Sequence, residues 1–97
     1  MDKDAQMLDG MGSALVELQV KYRNASLPER MRLRASLEEI LEDYAKYQIR
    51  LLKEGVITTD EDLAEMQEIQ TEIDKAADEQ KLLAAIAKTI AFVATKV

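Results

Sequence analysis

Leu82 to Val97 carry no carboxylate and only two charges, Lys88 and Lys96. Directly before them, Asp60 to Glu79 hold nine carboxylates against one cation, Lys75. An oily segment of that length has to be covered, and a chain of 97 residues offers little core to cover it. This contrast constrains the fold more than any other feature of the sequence.

The rest of the chain reads as helix. Leu8, Met11, Leu15, Leu18, Tyr22 and Ala25 recur at steps of three and four, the seam of an amphipathic helix. Gly10 and Gly12 fall near its start and predict fraying there. Asn24–Glu29 then breaks the pattern. Ser26 and Glu29 have capping-box spacing, and Pro28 suits a first helical turn, where its missing N–H is not needed. A second seam follows at Leu33, Leu37, Ile40, Tyr44, Tyr47 and Leu51, ending at Gly55, a natural C-terminal cap. Thr58 or Thr59 caps the next segment, with Asp60, Glu61 and Asp62 favouring the positive end of a helix dipole.

That third segment shows no stop signal. Met66, Ile69, Ile73, Ala76, Gln80, Leu83, Ala87, Ile90, Ala94 and Val97 continue the three-four alternation. The spacing predicts helices over about 5–24, 27–54 and 59–96 in one domain spanning 1–97. A straight third helix of about 38 residues would be about 57 Å long. Short connections predict antiparallel neighbours. The expected fold class is all-α: an antiparallel helical hairpin, or three-helix coiled-coil-like bundle, completed by oligomerisation. Pairing the second and third seams sets Tyr47 beside Met66 and Ile40 beside Ile73. It also sets Lys46, Arg50 and Lys53 beside the acidic start of the third helix. Residues 88–97 then overshoot the second helix.

The overshooting end is apolar nearly all round, which marks a buried helix. Leu82, Leu83, Ile86, Ile90, Phe92, Val93 and Val97 are therefore the candidate interface, and Gln80 the candidate register residue on the seam. Partners expected on this reading are copies of the chain or another protein. Membrane contact through residues 82–97 is the alternative.

Chemistry-bearing constellations are sparse. The chain has no cysteine and no histidine, so it lacks the usual zinc ligands and the usual general base near neutrality. A net charge of -6 argues against nucleic acid as a partner. Glu65, Glu68 and Glu72 have the periodicity of a di-metal helix face, but such bundles use a histidine partner, and the carboxylates fall off the apolar seam. Asp60–Asp62 lacks the loop and glycine of a calcium hand. Arg30, Arg32 and Arg34, with Lys21 and Arg23, form the one basic concentration. They spread around the helix, and Glu29, Glu38, Asp78 and Glu79 are within reach as partners. Tyr44 and Tyr47 sit on the seam as packing residues, as do Met7, Met11 and Met66. Gly10-Met11-Gly12 lacks the rest of any phosphate loop.

No catalytic, cofactor or metal site is expected. The function expected is non-enzymatic: a small helical assembly or interaction protein, such as an adaptor, a chaperone-like subunit or a structural component of bacterial or phage origin. Its polar N-terminus and the lack of any apolar run of about 18 residues give a cytoplasmic expectation, with signal-free export as the other route.

Overall fold

The computed structural model describes residues 2–55 and 57–96. Among these residues there are four helices where the spacing predicts three: α1 (Lys3–Asn24), α2 (Leu27–Glu54), α3 (Asp60–Lys75) and α4 (Glu79–Ala94). The Cα radius of gyration is 13.3 Å, that of a compact domain of this length.

Local chemistry sets most of the ends. Asp2 caps α1 by accepting from the Ala5 amide at 2.7 Å. α1 runs unbroken through Gly10 and Gly12, with no interruption at either glycine. Gly10 permits close approach of α3: a Cβ on it would lie 3.0 Å from Met66 Cγ. The space is used by Gln70, whose amide donates to the Gly10 carbonyl at 2.6 Å. Ser26 accepts from the Glu29 amide at the start of α2, with Pro28 in the first turn. Gly55 ends α2 at φ 61, and its N–H reaches the Leu51 carbonyl. That left-handed conformation suits a residue without Cβ. Thr59 and Asp62 form a reciprocal capping box at the start of α3.

The helix predicted over 59–96 is interrupted at residues 76–78. Ala76 turns extended, and its N–H falls back to the Ile73 carbonyl. Asp78 then caps α4, accepting from the Lys81 amide at 2.8 Å. Neither glycine nor proline marks this break; contacts from the first two helices hold it. The Lys21 ammonium on α1 donates to the Ala76 carbonyl at 3.1 Å and the Asp74 carbonyl at 3.4 Å, satisfying oxygens that a continuous helix would have bonded internally. Arg32 on α2 grips Glu79 with two hydrogen bonds, the outer one 2.8 Å long. Lys21→Ala should therefore loosen the bend specifically. We expect a loss of about 1 kcal/mol and faster amide exchange at the first turn of α4 than elsewhere in that helix. Uniform exchange along α4 would sink this reading.

The break refolds the chain. α4 returns antiparallel along α3, with Lys88 bridging Glu72 at 3.0 Å and Glu68 at 3.2 Å. α1 packs on α2 and α3, and α4 on α2 and α3. α1 and α3 run parallel, since Lys3 pairs with Asp60 and Lys21 with the end of α3. The predicted α2–α3 hairpin is not formed; among the described residues those helices are a diagonal pair with no Cα atoms within 8 Å of each other. Tyr47 and Met66, Ile40 and Ile73 share the core without the expected side-by-side register. Lys46 pairs with Glu42, and Arg50 with Glu54, instead of with the start of α3.

One apolar core takes residues from every helix, among them Met7, Leu18, Leu33, Ile40, Tyr47, Ile69, Ile73, Ile86 and Val93. Buried positions in α4 are Leu82, Ala85, Ile86, Thr89, Phe92 and Val93. The predicted seam through Gln80, Leu83, Ala87 and Ala94 instead faces outward. The interruption restarts α4 about one residue out of phase with α3, a rotation of about 100°.

Candidate functional site

The side chains expected to form an interface at the end of the chain are mostly in the protomer's own core. Leu82, Ile86, Phe92 and Val93 are buried, Ile90 is half-buried against the core and Leu83 is exposed. Val97 lies outside the described residues. The oily segment is covered by its own chain, because the bend at 76–78 folds it back between α2 and α3. The overshoot, and the need for a partner to cover it, do not arise. Gln80 is exposed on the first turn of α4, off the side that packs in the core.

The polar candidates resolve into ion pairs and caps. Glu68 and Glu72 hold Lys88, whose pKa is raised chiefly by its hydrogen bond to Glu72. Arg32 pairs with Glu79 and Arg34 with Glu38. Asp60 pairs with Lys3. On α1 and α3, Glu17 and Asp74 are neighbouring carboxyls. Burial first, then the hydrogen bond and repulsion from Asp74, push Glu17 above the usual carboxylate range. No group of three or more acidic residues among the described residues is arranged to hold a metal ion. No helix among them is long and apolar enough to cross a membrane.

A buried polar cluster locks the end of α4 to the start of α3. Asp62 accepts from Lys96, and Lys96 lies 5.2 Å from the centre of the Phe92 ring, a cation–π distance. Asp62 also accepts from the Thr59 amide at 3.1 Å. Burial alone would raise the Asp62 pKa; the bonds from Lys96 and Thr59 outweigh it and pull the carboxyl below its usual range. Nearby, Tyr47 meets the Thr58 hydroxyl at 3.5 Å, and burial pushes its phenol up. Asp4 ties the α2–α3 connection down by accepting from the Ile57 and Thr58 amides. Tyr44 reaches the Leu8 carbonyl at 3.5 Å. All of these contacts fasten one element to another.

Apolar surface remains elsewhere. Of eight large apolar side chains exposed among the described residues, seven lie on α1 and α2, and only Leu83 lies on α4. Val16 is 62 % exposed, Val20 48 % and Leu52 85 %. α3 and α4 cover one face of the α1–α2 pair and leave the other open. Shallow grooves run along that open face, one between Tyr44 and the Leu8–Val20 side of α1, another between Leu15, Tyr22, Leu37 and Leu41. Sequence reasoning passed over Val16 and Val20 because they fall off the seam of α1. Their signal was the pair of β-branched residues four apart on the polar side of that helix.

No family model matches the chain, and no curated protein or solved structure is significantly similar to it.

Proposed function

We propose that this chain is a non-enzymatic helical assembly module that works by associating with copies of itself through the open face of the α1–α2 pair. One observation carries the reading. Exposed large apolar side chains are concentrated on α1 and α2, while those of α3 and α4, Leu83 apart, are turned into the core. Contiguous exposed apolar surface on a small protein marks a place where another surface sits. The folding back of α4 moves the expected association surface from the end of the chain to its first half. The paired polar groups support the same reading, since they act as caps and ion pairs that fasten the helices together. The membrane reading for residues 82–97 is the weaker one, because Leu82, Ile86, Phe92 and Val93 pack in the core instead of facing outward.

Sedimentation equilibrium tests this directly. The native chain should sediment as a concentration-dependent dimer or larger species. Val16→Glu should shift it to monomer while its unfolding free energy stays within about 0.5 kcal/mol of the native value, as befits an exposed site. A native chain that remains monomeric at every concentration would overturn the proposal.

A further inference from the structure

We infer that two copies pair through α1 in antiparallel fashion, about a two-fold axis at Val16. The inference rests on the self-association reading and specifies its geometry. Around Val16 the exposed face of α1 is complementary to its own reverse. Seven residues before it stands Asp9, and seven after it Arg23. Four before is Gly12, and four after Val20. Three before is Ser13, and three after Gln19. Steps of three, four and seven keep all these positions on one side of a helix. A two-fold axis at the centre reverses the partner helix, so each position faces the one equally far on the other side of Val16. It sets Asp9 of one copy against Arg23 of the other, Ser13 against Gln19, and Val20 into the notch at Gly12.

Three features of the single protomer support that arrangement. Asp9 and Arg23 are exposed, and neither has an ion-pair partner among the described residues, so each is open to a charge on another copy. Gly12 is not demanded by the protomer's own packing: an added Cβ would meet only the Tyr44 hydroxyl, at 3.7 Å. A helical glycine is nonetheless unfavourable, and a notch that receives Val20 gives it a use. The groove beside Gly12, lined by Leu8, Val16, Val20 and Tyr44, is the open space such a contact fills. A parallel pairing of the same faces would set Asp9 on Asp9 and Arg23 on Arg23.

Charge exchange and engineered cross-links test the pairing, and the chain has no cysteine to interfere. D9R alone and R23D alone should each weaken the dimer about tenfold or more through like-charge contact. The double variant should return to near the native dissociation constant. On oxidation, D9C chains mixed with R23C chains should yield the mixed cross-linked dimer, and neither variant alone should cross-link. Circular dichroism of each variant establishes that it is folded. Self-cross-linking of D9C would overturn the antiparallel pairing. So would a native dimer whose mixed cysteine variants do not cross-link, or whose double charge variant is no tighter than the singles; those two results leave the broader self-association reading standing. A native chain that never dimerises overturns both.

Discussion

Phe92→Ala lowers the unfolding free energy by about 3–5 kcal/mol, the cost of deleting a buried aromatic ring and leaving its space. Phe92 is 3 % exposed, and Lys96 lies over its ring, so the substitution removes packing and a cation–π contact together. For a domain of this size, each kcal/mol moves the midpoint by about 4–8 °C, giving a drop well above 10 °C on a thermal melt. Ile86→Asp is harsher, because it places an unpaired carboxylate at a site 2 % exposed. Such a chain is expected to be unfolded at room temperature. The contrast with Val16→Glu is the informative one. If α4 instead served as an exposed docking helix, Ile86→Asp would give a folded monomer with a native melt, and that result would refute the four-helix packing described above.

Asp62→Ala is the second large effect. It removes the Thr59–Asp62 capping box, worth about 1 kcal/mol, and leaves the Lys96 ammonium without its carboxylate. The Asp62 and Lys96 side chains are 12 % and 20 % exposed. Removing one member of a well-buried pair costs about 3–5 kcal/mol, so about 3 kcal/mol in total is expected at this partly wet site. A pH dependence accompanies it. The folded-state pKa of Asp62 is depressed, so its stabilisation is fully present above the unfolded value near about 3.9. That stabilisation is lost as pH falls through the lower folded value. Denaturant titrations from about pH 5 downward should show the native protein losing more stability than Asp62→Ala loses. Parallel curves for the two proteins would mean that the pair contributes nothing.

Both effects concern a helix whose place in the fold was only half legible in the sequence. The caps were legible: Ser26, Gly55 and Thr59 each announce themselves by residue type and spacing, because a cap is satisfied within a few residues. The inward seams of α1 and α2 were legible for the same reason, and Leu18, Leu33, Ile40 and Tyr47 are among the most buried residues. Gly10 was misread as a weak point, since the helix that needs its missing Cβ comes from 56 to 60 residues further along. The oily composition of residues 82–97 correctly demanded burial. It could not tell what would do the burying.

Helical content, the caps and the apolar stripes follow from the chain alone, because they depend on contacts among neighbours three or four residues apart. Whether residues 60–94 make one rod or two antiparallel helices does not. Two alanines and an aspartate at 76–78 are locally compatible with either outcome. The bend is selected by Lys21, reaching a carbonyl 55 residues away, and by Arg32, holding a carboxylate 47 residues away. Those contacts exist only once α1 and α2 are in place, and so the tertiary structure decided which face of α4 is hidden and which apolar side chains of α1 and α2 stay at the surface.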